Sequence, residues 1–149
     1  MGLIIALLGA VGLYVVALVI IQQISPRPDS LGVRDGQLAP CPNTPNCVST
    51  QASRDNQRME PLTYTGDTGS ARERLLAIVR DMPGATVVTA GDDYIHAEFR
   101  SRLWRFVDDV EFYIADGQIH FRSAARLGQG DMGVNRQRMQ TISERFQAG

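Results

Sequence analysis

Apolar and polar positions divide the chain into three materials. Gly2 to Ile21 is a nearly unbroken apolar run, LIIALLGAVGLYVVALVII after the glycine, and the first 24 residues carry no charge. Some 20 such residues at a helical rise of 1.5 Å reach about 30 Å, the hydrocarbon thickness of a bilayer. A buried helix of a soluble domain would show a polar face over that length, and this run has none. The pattern predicts a transmembrane anchor over residues 1–24. Residues 25–68 then carry six of the seven prolines and no helical or strand period. Residues 25–37 read as a tether, and 38–149 as the folded domain.

Periodic structure begins near Ser70. Ser70-Ala71-Arg72-Glu73 fits a capping box, and Leu75, Leu76, Ile78, Val79 and Met82 form a helical stripe that Pro83-Gly84 ends. Four strands are expected next: Ala85 to Ala90, Tyr94 to Arg100, Leu103 to Ala115, and Gln118 to about Leu127. Asp116-Gly117 is a type I′ hairpin signal between the last two. A final helix, about Asp131 to Gln147, presents Met139, Ile142 and Phe146 on one stripe, with Asp131 as its N-cap. The predicted fold class is α+β: an N-terminal transmembrane helix, then a helix, a four-stranded antiparallel meander and a C-terminal helix, the helices covering one face.

The two-residue turn fixes a register. Ala115 pairs with Gln118, so Tyr113 faces His120, Glu111 faces Arg122 and Val107 faces Arg126, leaving Asp109 diagonal to Arg126. Glu111–Arg122 is therefore an expected ion pair. Trp104, Phe106, Val110, Phe112 and Ile114 take the apolar face against Ile119, Phe121, Ala125 and Leu127. Asp108 and Ser123 fall on that face too. A carboxylate there is costly unless paired, so Asp108 calls for an arginine or the free N–H groups of the last helix.

Charge sharpens the picture only locally. The chain has 15 basic and 16 acidic residues, for a net charge of −1, which argues against a nucleic-acid partner. All fifteen basic residues are arginine, a bias that a GC-rich genome accounts for. Residues 81–116 hold eight acids and three arginines, and residues 118–149 hold five arginines and two acids. These stretches are neighbours in the expected fold and should neutralise each other.

Cys41 and Cys47 lie six apart across a Pro/Asn-rich turn. That spacing suits a structural disulfide, with two free thiols as the alternative; metal or redox chemistry is disfavoured, because His96 and His120 lack ligand spacing and the thiols are not in a C-x-x-C arrangement. No metal site and no cofactor are expected. His96 and His120 alternate with apolar positions and read as surface histidines. A cleaved signal peptide competes with the anchor reading, but the run is long and lacks a small-x-small step. A lipoprotein site at Cys41 fails, because proline precedes it and it lies far beyond the apolar run. Arg27 and Arg34 lean weakly toward a cytoplasmic domain by the positive-inside rule, whereas a disulfide points to an oxidising compartment.

Three groups of residues together resemble the domain of unknown function 1499 family: Cys41, Pro42, Pro45, Asn46, Cys47, Val48 and Ser49; the run from Phe106 to Phe112; and Arg122, Ser123, Arg126, Gly128, Asp131, Gly133, Asn135, Arg136 and Arg138. The resemblance covers about residues 38–147; Ala125 stands where serine is common. It implies a membrane-anchored member whose domain is extracytoplasmic, in a bacterial inner membrane facing the periplasm. It assigns no activity.

The motif residues still have chemistry. Arg122, Arg126, Asp131, Asn135, Arg136 and Arg138 are the candidate binding residues, around a helix entry that could hold an anion. Asp108, Asp109 and Glu111 are the candidate structural charge network. Expected partners are the lipid bilayer through residues 2–21 and a membrane protein complex or an anionic ligand. A non-catalytic binding, scaffold or assembly module is favoured. The alternative is a binder or hydrolase of a small anionic substrate at the Arg/Asp cluster; catalysis is the weaker reading, because Asp108 and Asp109 point to opposite faces, as do His120 and Ser123, and no phosphate loop or zinc motif is present.

Overall fold

The computed structural model describes residues 2–149. Helix α1 (Gly2–Gln23) is apolar on all sides and has no buried residue, and it is long enough to cross a membrane. The remaining elements are β1 (Cys47–Ser49), β2 (Leu62–Thr63), α2 (Thr68–Asp81), β3 (Ala85–Ala90), β4 (Tyr94–Arg100), β5 (Val107–Ala115), β6 (Gln118–Ala125) and α3 (Val134–Ala148).

The α+β class and the meander β3-β4-β5-β6 hold. The sheet has six strands rather than four, because β1 and β2 both pair with β6. Val48 sits opposite Ser123 and Leu62 opposite Ile119, so two short pieces of the proline-rich stretch cover what would otherwise be an open sheet edge. At three and two residues they are too short to show a period. Asp116 and Gly117 both adopt positive φ, 51° and 75°, as a type I′ turn requires. The register follows: Ala115 pairs with Gln118, Tyr113 with His120 and Glu111 with Arg122.

Helices α2 and α3 cover one face of the sheet. Leu75, Leu76 and Val79 from α2 meet Met139, Ile142 and Phe146 from α3 over Ile95, Ala97, Val110, Phe112, Ile119 and Phe121. Burying each large side chain contributes about 1.5–3 kcal/mol.

Several local expectations are corrected. α2 starts at Thr68, and its cap is Asp67, whose carboxylate accepts from the Ser70 N–H; the Ser70 capping box does not form. α3 starts at Val134 behind a left-handed Gly133, not at Asp131. Asp131 still accepts from the Gly133 and Asn135 N–H groups, serving the helix entry from outside it. β5 begins at Val107, not Leu103. Residues 101–106 form a loop in which the Ser101 N–H donates to Phe106 O, the Ser101 hydroxyl accepts from Phe106 N–H, and Arg105 turns at positive φ. The apolar letters Leu103, Trp104 and Phe106 mimic a strand, but they are exposed and lie off the sheet. β6 ends at Ala125, two residues short of Leu127.

Gly84 is where the backbone leaves least room. Its φ is 76°, and a Cβ there would sit 2.5 Å from the Arg100 carbonyl oxygen. Glycine is needed for both reasons.

Cys41 and Cys47 form a disulfide, and Cys47 is buried in β1. Closing so short a loop removes about 2 kcal/mol of unfolded-state entropy. Cys41→Ser with Cys47→Ser should therefore lower stability by about 2 kcal/mol in chemical denaturation. Alkylation of the native protein without reductant should label neither thiol; ready labelling of both contradicts the bridge.

Candidate functional site

The face of the sheet opposite the helices is built from charge. Pleating sends Tyr94, His96, Glu98, Asp109, Glu111, Arg122 and Arg126 to that side. The β4–β5 register sets Glu98 directly against Asp109, and His96 against Glu111. Like charges directly opposite repel. Arg126 resolves the conflict, because its guanidinium donates to Asp109 through Nε and Nη2, at 2.7 Å each, and to Glu98 at 2.6 Å. His96 Nε2 lies 2.8 Å from Asp109 Oδ1, the oxygen that also accepts from Arg126 Nη2. His96 is thus buried, correcting the surface expectation; the carboxylate beside it makes that position tenable. His120 is half-buried, 3.3 Å from the Thr50 hydroxyl.

Residues 25–37, read from sequence as a tether, carry no helix and only an isolated bridge, and they are bonded to this charged face. Arg27 donates to Glu98 at 2.7 Å, Gly32 N–H to Glu111 at 2.7 Å, and Arg126 to the Ser25 carbonyl at 3.4 Å. Glu111, with no exposed surface, also accepts from the Tyr94 hydroxyl at 2.8 Å and from Arg122 at 3.4 Å. The expected Glu111–Arg122 pair and the Asp109–Arg126 diagonal both form.

A second cluster lies on the helix side of the sheet. Asp108 pairs with Arg138 of α3 at 2.6 Å, the arginine partner its position demands. Arg138 also donates to the Asn135 side-chain oxygen and the Ser123 hydroxyl, and stacks over Phe99. Buried Asn135 donates to the Asn46 carbonyl, while Asn46 donates to the Gly128 carbonyl. The helix entry is thereby tied to the disulfide loop and to the end of β6.

The six candidate binding residues do not converge. Arg122 and Arg126 belong to the outer face. Asp131, Asn135 and Arg138 belong to the helix side. Arg136 is turned to the Asn56 and Arg58 carbonyls. Glu98, Tyr94, Arg27, Gly32 and Asn46 are members that sequence reasoning left out. Glu98 was legible as an outward residue of its strand, but its partner depends on a β4–β5 register that the irregular 101–106 loop conceals.

Electrostatics distinguishes the acids. Burial pushes Asp109 and Glu98 upward, but hydrogen bonds outweigh it and hold both below their ordinary values; Arg126 and His96 supply them to Asp109, Arg27 and Arg126 to Glu98. Asp108 goes the other way: burial raises it, and Arg138 only partly offsets that. Burial beside Glu111 raises Tyr94, keeping it a neutral donor.

A family model described as "Protein of unknown function (DUF1499)" matches residues 37–146. The chain belongs to the DUF1499 family. No curated protein matches it. The DUF1499 motif residues thus have structural employment: Cys41 and Cys47 in the bridge, Asn46 and Asn135 in the inter-element bonds, and Asp108, Asp109, Arg126 and Arg138 in ion pairs.

Arg126→Ala should cost about 3–5 kcal/mol, because it leaves two buried carboxylates face to face. Adding Asp109→Asn should recover part of that loss in urea denaturation; no recovery would contradict the bridging role. The pH dependence follows from the same groups. Carboxylates held low stabilise fully above their unfolded values, 4.5 for Glu98 and 3.8 for Asp109, and that contribution is lost as pH falls through the depressed folded values. Asp108, raised, has the opposite sign and gains slightly on protonation. The thermal midpoint should therefore fall below about pH 4, and Asp109→Asn should flatten that acid limb.

Proposed function

We propose that the protein is a membrane-anchored, non-catalytic scaffold or assembly module, with residues 38–149 on the extracytoplasmic side. The observation that carries the non-catalytic reading is the occupancy of the motif arginines. Arg126 holds two carboxylates, Arg122 and Arg138 one each, and Arg136 two carbonyls. An active site would present at least one such group to an open cleft, with its charge uncompensated.

The disulfide supports the outward placement, because such bridges persist in oxidising compartments. The uniformly apolar α1 supports an uncleaved anchor. The motif residues then serve to hold a stable body of fixed shape next to the bilayer, where its partner is met.

The reading is tested in cells of the native host. The full chain should stay in the membrane fraction through an alkaline carbonate wash. Protease added to spheroplasts should degrade the domain without lysis. Degradation only after lysis contradicts the outward placement, and release by carbonate contradicts the anchor. Purification with native lipids should bring down a membrane-protein partner, and Arg136→Ala, on the exposed helix entry, should leave the domain folded.

A further inference from the structure

Helix α1 has only one aromatic side chain, and it does not point into empty space. The Tyr14 hydroxyl donates to the Leu103 carbonyl at 2.5 Å, and its ring meets Trp104 edge-on with centroids 5.8 Å apart. The contact comes from the 101–106 loop, Ser-Arg-Leu-Trp-Arg-Phe, between β4 and β5. Leu103, Trp104 and Phe106 are 60%, 43% and 42% exposed. Outside α1 and Ile24, which follows it, the other exposed large apolar side chains among the described residues are Val88, Met132 and Val134. Val134 shares with Phe106 a cleft of about 500 Å³, whose rim carries Arg100, Arg102 and Arg105. Leu103, Trp104 and Phe106, with Val134 across the cleft, thus gather exposed apolar surface that is interleaved with arginine. The end of α1 is there as well, since Ile21 and Gln22 line a second cleft with Arg100, Arg105 and Arg126.

We propose that the 101–106 loop is a second membrane contact: Leu103, Trp104 and Phe106 enter the headgroup–acyl boundary beside α1, and Arg102 and Arg105 hold the phosphates of anionic lipids. The inference rests on the reading of α1 as an anchor. Tyr14 lies nine residues before Gln23, about 13 Å along a helix axis. A loop that touches Tyr14 of a spanning helix must lie below the headgroup plane. The loop is equipped for that. Ser101 satisfies the N–H groups of Arg105 and Phe106 and donates to Phe106 O, and Tyr14 satisfies the Leu103 carbonyl. Main-chain groups at membrane depth need such partners. Tryptophan favours the interface, and arginine stems reach from an apolar surface to charged headgroups. The loop has no acid of its own to repel an anionic surface.

Trp104 is the only tryptophan in the chain, so intrinsic fluorescence reports this loop alone. The full chain is reconstituted into phosphatidylcholine vesicles containing about a third phosphatidylglycerol. Trp104 emission should be blue-shifted, shielded from iodide, and quenched about twofold or more by a nitroxide high on the acyl chain. Arg102→Gln with Arg105→Gln should reduce quenching in these vesicles to the level seen in phosphatidylcholine alone; equal quenching in both would overturn the role of the arginines. A chain retained through a carbonate wash whose Trp104 is iodide-accessible and unquenched overturns the loop contact while leaving the anchor intact. A Trp104 shielded from both quenchers overturns it in favour of a protein neighbour. Release by carbonate removes the anchor, and this inference with it.

Discussion

Two carboxylates, Glu98 and Asp109, are set side by side by strand pairing, and one guanidinium holds both. Neither acid could be moved without changing the register of the central strands, since a one-residue slip would send every apolar residue of β4 to the charged face. Arg126 stands just past β6, so its pairing draws three consecutive strands and the segment after α1 to one point. Buried pairs of this kind contribute little net energy against a well-packed apolar alternative, and breaking one is expensive. Their effect is to specify a single arrangement. A sheet whose outer face were apolar could slide or stack; this one has a defined set of partners for each acid.

The covering of that face has a further consequence. Glu111 is fully buried only because Gly32 and its neighbours lie over it and donate a main-chain N–H. Arg27 reaches the same face and completes the shell around Glu98. The segment that joins α1 to the domain therefore finishes the charge network. Position relative to the anchor and integrity of the outer face are two aspects of the same contacts. This makes the family motifs intelligible as architecture: the bridge and Asn46 fix one edge, Asn135 and Arg138 fix the helix entry, and the acids of β5 look to both sides.

The meander and its hairpin register were readable because they depend on local chemistry. Asp116-Gly117 selects one turn, the turn selects the pairs, and alternation assigns the faces. Glu111–Arg122, Asp109–Arg126 and the need of Asp108 for an arginine all follow from that chain of inference. What was hidden is non-local. β1 and β2 are strands only because β6 offers them an edge, and nothing in two or three residues announces that. His96 looked like an exposed position of an alternating strand because residues 25–37, which have no period to read, bond to its neighbours Glu98 and Glu111 on the same face. The 101–106 loop failed for the opposite reason. Its apolar letters imitate strand, and the turn is made by Ser101 bonding and a left-handed Arg105 instead of the glycine or asparagine that usually marks such a place.

That mistaken strand also explains where the domain keeps its exposed apolar groups. Residues that are apolar without being core must be compensated elsewhere, since a stable soluble surface does not gather them at one end. The β4–β5 register could have continued through Ser101–Phe106 and Arg102–Arg105, with Phe106 on the core face and Leu103-Trp104 as the turn. Instead Ser101 closes the turn early, both rings are exposed, and Trp104 meets Tyr14 of α1. The energetic loss to the core is a few buried methylene equivalents for the Phe106 ring, each about 0.8 kcal/mol. A surface recovers that loss only where something apolar meets it, and the neighbouring element is the most apolar in the chain. The same physics that excludes charge from α1 accounts for the loop at its side.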